Sequence, residues 1–243
     1  TAFAAESKAS TRKIDVWDMG TVQEADTDKY NNHITAADWE NCDNVSKDGK
    51  FVAGETTFGD LTINHNANDR LFSASGKNYG SNALATTAYD DGYTAGGMYY
   101  CNGTGGETRR NVTINNVIAG DKIVVYMASS NAATGTLVFK YLGQDNEQVE
   151  KASFTNKGAK YEFVAKYSGS YKVYTDAAAG KPIYNRIVRI PGVAVSGTID
   201  GAQLSGYKVM FKDEANGITY DADIKGNTFT ATLAAGCNYT AVL

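Results

Sequence analysis

Seven short apolar segments follow one another between Arg109 and Ile190: Arg109–Asn116 (RRNVTINN), Lys122–Met127 (KIVVYM), Thr136–Tyr141 (TLVFKY), Glu147–Phe154, Lys160–Tyr167 (KYEFVAKY), Tyr171–Thr175 (YKVYT) and Ile183–Ile190 (IYNRIVRI). Each has strand length, and no helical period separates them. In the fifth, Tyr161, Phe163, Ala165 and Tyr167 alternate with Glu162, Val164 and Lys166, so one face can be buried while the other stays mostly wetted. The connections at Ala119-Gly120-Asp121, Gly143 to Asn146, Asn156-Lys157-Gly158 and Ser168-Gly169 supply residues that tolerate tight turns. Ser168-Gly169, between two alternating runs, reads as a hairpin turn. The pattern predicts an all-β, two-sheet antiparallel sandwich rather than a parallel α/β sheet.

Upstream of this run, residues 1–12 are small and polar and are expected to be mobile. Ala2-Phe3-Ala4 has the A-x-A form of a signal-peptide cleavage site, so the first residues read as a signal-peptide remnant of a secreted protein. Order is expected to begin with a strand at Ile14 to Gly20. Thr35 with Asp38 three residues on resembles an N-cap feeding one or two helical turns. Strand character returns in Phe51 to His65 and in Asp69 to Phe72. Ser73 to Gly92 is a long Ser-, Gly-, Asn- and Ala-rich stretch, of the kind that is either a functional loop or a mobile one.

The 243 residues allow one large or two smaller domains, and 42% hydrophobic residues suffice for a core. With 25 Gly and only 2 Pro, the chain suits many short turns and few stiff linkers. A formal net charge of −4 provides no basic field for phosphates, which excludes nucleic acid as the expected partner. No apolar run has the length of a transmembrane helix, so no membrane partner is expected. Cys42, Cys101 and Cys237 make an odd count without metal-ligand spacing. Cys42 with Cys101 is the one intradomain disulfide to consider, free buried thiols being the alternative.

No catalytic constellation is recognisable. His33 and His65 stand in no HxH, HExxH or HxxxH arrangement, and there is no GxSxG elbow or P-loop. Asp15, Asp18, Asp90 and Asp91 could pair as glycoside-hydrolysing carboxylates only if the fold brought two of them across a cleft. The chain is therefore read as non-catalytic. A binding reading needs aromatic platforms and polar groups on a rigid scaffold. Tyr93, Tyr99, Tyr100, Asn102, Arg109 and Arg110 lie within one loop-and-strand segment, with Tyr79 and Tyr89 just upstream. Tyrosine rings stack on the C–H faces of sugars, and arginine is the preferred fork for a uronate carboxylate. The competing reading makes these tyrosines core residues and the arginines ordinary strand-end charge. Asp90 and Asp91, in an acidic turn, are candidate ligands for a structural Ca2+.

After Pro191-Gly192 a second all-β pattern begins. Val195-Ser196-Gly197-Thr198, Met210-Phe211, Gly217-Ile218-Thr219-Tyr220 and Ala235-Gly236-Cys237-Asn238-Tyr239-Thr240 resemble the strands and turns of small transthyretin-like or pilin-B-like sandwiches. The match covers about 50 residues, short for a complete sandwich, so the natural protein is expected to continue past Leu243. Lys13–Gly20, Phe58-Gly59-Asp60-Leu61, Asp69-Arg70-Leu71, Gly92–Gly97 and Asn185–Arg189 resemble an accessory region of large secreted pectate lyase-type enzymes of anaerobic gut bacteria. That resemblance implies a jelly-roll, galactose-binding-like sandwich over residues 13–192, followed by the small sandwich at 193–243. It also implies a monomeric, non-catalytic polysaccharide-binding module, with homogalacturonan or another pectin as ligand. The alternative is a structural or adhesive module of a bacterial surface protein.

Overall fold

The computed structural model describes all residues except 1, 9, 75, 132–133, 145–146, 177–179, 201–205, 215–216 and 236. With 51% strand and 7% helix, the fold is all-β. Strands are numbered along the chain. One six-stranded sheet runs in the order β10 (Val149–Phe154), β9 (Gly135–Tyr141), β12 (Gly169–Asp176), β7 (Asn111–Val117), β4 (Leu61–His65) and β3 (Gly54–Phe58). The sheet facing it runs β11 (Ala159–Val164), β8 (Lys122–Ser129), β13 (Pro182–Ile190), β6 (Gly97–Tyr100) and β5 (Arg70–Ser73). β2 (Asp15–Asp18) shares with β6 the second edge of β13. All named pairings are antiparallel, so the predicted two-sheet sandwich is the observed architecture.

The alternation read from Tyr161 to Tyr167 operates as a packing device. Phe163 of β11 stacks on Phe139 of β9 at 4.9 Å, and Phe139 stacks on Tyr171 of β12 at 4.5 Å, so three parallel rings join the two sheets. Offset ring stacking adds about 0.5–1.5 kcal/mol per pair to the area these rings bury. The Ser168-Gly169 hairpin is not observed. β11 pairs with β8 and β12 with β7 and β9, so the connection crosses from one sheet to the other. Tyr171 takes part in this corner by donating its hydroxyl to Tyr167 O at 2.8 Å.

Thr35 caps the single α-helix among the described residues, α1 (Ala36–Glu40). Its side chain accepts from Asp38 N while Asp38 accepts from Thr35 N, as the spacing predicts. The helix points Trp39, fully buried, onto Phe51 and Phe58. Of the stretch from Ser73 to Gly92, the part at residues 82–92 is folded over the outer face of the second sheet. A bulge in β13 lets Asn185 hold it there, donating to Leu84 O and Gly97 O and accepting from the Tyr89 hydroxyl. Cys42 and Cys101 are both buried free thiols, so the Cys42–Cys101 pairing is not formed.

The small sandwich consists of a four-stranded sheet, β1 (Ala2–Lys8), β14 (Val193–Asp200), β18 (Thr228–Leu233) and β17 (Asp223–Lys225). Opposite it stand β16 (Ile218–Asp221), β15 (Met210–Asp213) and β19 (Thr240–Val242). Residues 2–8, expected to be mobile, are thus an edge strand, because β14 offers them seven backbone positions in register. The two sandwiches are in contact. Val164, on the face of β11 expected to be wetted, packs with Ile199, Tyr220 and Leu233 of the small domain, and Tyr220 donates its hydroxyl to Ala165 O. At this junction a Cβ on Gly120 would stand 2.7 Å from Thr232 O, so glycine is required for the close approach.

A largely buried ion network ties the two sheets together. Arg189, 1% exposed, donates Nε to Asp15 at 2.7 Å, one terminal nitrogen to Asp60 at 2.6 Å and the other to Asn115 O at 2.7 Å. Asp15, fully buried, also accepts from Asn31 and Asn32. Removing one member of such a network leaves an uncompensated buried charge. Arg189→Ala is expected to destabilise the protein by about 3–5 kcal/mol, read by urea denaturation.

His65 gives a pH dependence. Its Nδ1 donates to Val52 O, Nε2 faces the Thr56 hydroxyl at 2.9 Å, and burial holds its pKa below 6.5. The unfolded chain binds the proton first, so His65 costs stability as pH falls from about 6.5 towards the folded-state pKa. His65→Gln is expected to flatten the stability profile over that interval, measured as urea midpoints between pH 7.5 and 5.5.

Candidate functional site

Pairing of β5 with β6 sets Arg70 opposite Tyr100, Leu71 opposite Tyr99 and Phe72 opposite Met98. Alternation sends Leu71 and Tyr99 into the sandwich and turns Arg70, Phe72, Met98 and Tyr100 outward. On this outer face Phe72, Met98, Tyr100 and Ile183 form a small buried cluster with Ala85 of the folded-over loop. Tyr79 lies along the outer edge of β5, which Gly49 and Lys50 also border, its backbone N–H donating to Leu71 O. Its ring meets Phe72 edge-on at 5.5 Å and remains 36% exposed, the most exposed tyrosine of the large sandwich among the described residues.

Two cations accompany these rings. The Arg70 guanidinium lies 4.2 Å from the centre of the Tyr79 ring and 5.6 Å from that of Tyr100. The Lys181 ammonium lies 5.8 Å from the Tyr100 ring and donates to Asn102 Oδ1 at 3.0 Å. Among the described residues neither cation has a carboxylate within ion-pair distance, in contrast to Arg12, Arg110 and Arg189. Phe72 also forms a wall of an adjoining hollow of about 490 Å³, lined further by Asn78, Ser81, Asn82 and Ala85. That size falls within the range of small-ligand pockets. Asn78 shapes it by accepting from Ser73 N and Gly80 N, and Asn82 by capping the 3-10 turn Ala83–Thr86. An exposed ring, two cations without a carboxylate partner among the described residues and a hollow bordered by both apolar and amide side chains together suit a flat, hydroxylated ligand that carries negative charge.

Of the residues named from sequence, the fold brings Tyr79, Tyr100 and Asn102 to this place. Tyr99 is wholly buried and donates its hydroxyl to Asp69 at 2.9 Å, so its ring cannot serve as a platform. Arg110 is also buried, with Nε on the same Asp69 at 2.8 Å, and the Asn102 N–H completes that carboxylate's shell at 2.9 Å. These three are tied to an internal anion, which sequence spacing does not reveal. Arg109 is exposed in the turn that closes on Gly106.

Tyr93 belongs to a separate cluster on the same sheet. It stacks with Tyr89 at 5.5 Å, lies under the Arg186 guanidinium at 4.5 Å and donates its hydroxyl to Asp18 at 2.8 Å. Burial raises the Asp18 pKa despite that hydrogen bond. Asp90 and Asp91 are exposed, and Asp91 accepts from the Tyr126 hydroxyl and Tyr93 N, the first of which lowers its pKa. No group of three potential metal ligands occurs among the described residues, so Asp90 and Asp91 have no third partner there. Asp15 is committed to Arg189 and is not part of a cleft. Arg70, Tyr79 and Lys181 were not singled out together because they lie on three separate segments. The exposed edge position of Tyr79 has no signature in the sequence.

No protein-family model matches the chain, and no curated protein matches it. Solved structures with a similar strand arrangement include the carbohydrate-binding module CBM1 of BiXyn10A, 11% identical over 73% of this chain and 98% of that one, with a TM-score of 0.29. The module TmCBM61 in complex with β-1,4-galactotriose is 12% identical over 60% of this chain and 98% of that one, with a TM-score of 0.32. The isomalto-dextranase of Arthrobacter globiformis T6, complexed with panose, is 13% identical over 78% of this chain and 33% of that one, at 0.31. At such scores the likeness is partial and assigns this chain no ligand.

Proposed function

We propose that the large sandwich is a non-catalytic polysaccharide-binding module of a secreted bacterial protein, with pectin as its ligand. The observation that supports this reading is the pair of cations, Arg70 and Lys181, which have no carboxylate partner among the described residues and are set over the Tyr79 and Tyr100 rings beside a hollow of mixed lining. A galacturonate residue offers both features the patch would recognise. Its C–H face can stack on the exposed side of Tyr79, and its carboxylate can lie against the guanidinium or ammonium. A neutral glycan uses only the first, and a strong polyanion without a flat apolar face uses only the second. The second reading, a spacer or adhesive module, draws support from Tyr99, Tyr171 and Tyr184, which are fully buried and show that much of the tyrosine content is core.

Affinity electrophoresis in gels containing homogalacturonan, rhamnogalacturonan, xylan or mannan, with and without calcium, tests the proposal. Retardation by homogalacturonan that weakens with salt is expected. Tyr79→Ala should weaken it about tenfold or more, equivalent to ~1.4 kcal/mol. Arg70→Ala should have a comparable effect at low salt, whereas Arg109→Ala and Tyr93→Ala should leave it unchanged. No retardation by any of the four polysaccharides would favour the spacer reading. Release of unsaturated products absorbing in the ultraviolet would overturn the non-catalytic assignment.

A further inference from the structure

The small sandwich takes its edge strand from the far end of the sequence. β1 pairs with β14 in one unbroken register, from Ala2 opposite Asp200 to Lys8 opposite Ala194, and β18 occupies the other side of β14. The side chains of Ala5, Glu6, Ser7 and Lys8 are all exposed. This half of the strand is therefore held by backbone hydrogen bonds rather than by apolar burial. Such an attachment is open to competition from any strand of the same sequence. The chain is anchored again directly afterwards. Arg12 donates both terminal nitrogens to the buried Asp121, at 2.8 and 3.0 Å, and Asp121 also accepts from Ile118 N and Gly192 N. A rearrangement upstream of Arg12 can leave the Arg12–Asp121 contact in place while vacating the edge of β14.

We infer that β1 exchanges between copies of this chain, the first strand of each seating on β14 of the other to close a two-fold dimer. The occupant follows from the structure itself, since residues 2–8 are the segment already fitted to this edge and every other copy carries them. The exchange adds no new type of contact, so its equilibrium is set by concentration. It is independent of what the Tyr79 patch binds.

Glu6 and Ser196 are paired across β1 and β14 and both are exposed, so the double variant Glu6→Cys, Ser196→Cys reports which chain supplies the strand. Oxidation of a dilute sample closes the bond within one chain. Oxidation after concentration is expected to give a cross-linked dimer on a non-reducing gel. While that dimer is the minor species, its fraction should rise about tenfold for a tenfold rise in protein, as mass action requires. A synthetic peptide of residues 1–8 should suppress it. Glu6→Cys alone gives the background from chance collision and from Cys237. Cross-linked monomer at every concentration, or dimer no more abundant than that background, overturns the exchange. Absence of both cross-links overturns it as well, because β1 would then not lie on β14.

Discussion

The guanidinium of Arg189 is the point through which the large sandwich is assembled. It projects from β13 of one sheet, hydrogen-bonds the backbone of β7 in the other, and holds Asp15 of β2 and Asp60 of the turn between β3 and β4. A buried cation with this many directed donors tolerates only one arrangement of its acceptors. It therefore fixes the offset between the sheets as well as their contact, which apolar packing alone leaves loosely determined. The stacked rings of Phe163, Phe139 and Tyr171 add cohesion within that frame. Asp121 repeats the device at the domain junction, where one buried carboxylate gathers the chain after β1, the turn before β8 and the linker into β14.

The same residue type serves opposite purposes according to pairing. Arg110 and Arg189 are paid for by buried carboxylates and belong to the scaffold. Arg70 and Lys181 lie over aromatic faces near the surface, where a cation keeps its charge available to an outside anion. Electrostatic free valence, more than the presence of arginine or tyrosine, marks the candidate site.

Strand positions were legible because side chains alternate with a period of two, and the runs from Arg109 to Ile190 all appear as strands. The sheet to which each strand belongs was not legible. Ser168-Gly169 has hairpin chemistry, yet it joins strands of different sheets, since Phe163 and Tyr171 must face each other across the core. Site residues were harder still. Tyr99 and Tyr100 are adjacent and chemically equal, but one step along the strand separates core from outer face. Val164 and Arg189 occupy positions that alternation alone assigns to solvent or leaves open. One is covered by the second domain and the other is neutralised by carboxylates distant in sequence. β1 lacked a readable signal because its complement lies almost two hundred residues away.

The cluster of Tyr89, Tyr93 and Tyr126 under the folded-over loop has an optical consequence. Burial is the first cause in each case, raising the Tyr126 phenol to about 12 and the other two further still. An unfolded tyrosine ionises near 10, so the neutral phenols contribute stability that is complete below that value and is lost as pH rises above it. In alkaline solution burial keeps these rings protonated beyond the range of an exposed phenol, and opening of the loop or the sheet removes that protection. The share of phenolate absorbance that these three rings contribute would therefore arrive late and rise with structural opening, giving the outer face of the sandwich an intrinsic chromophoric gauge of its own integrity.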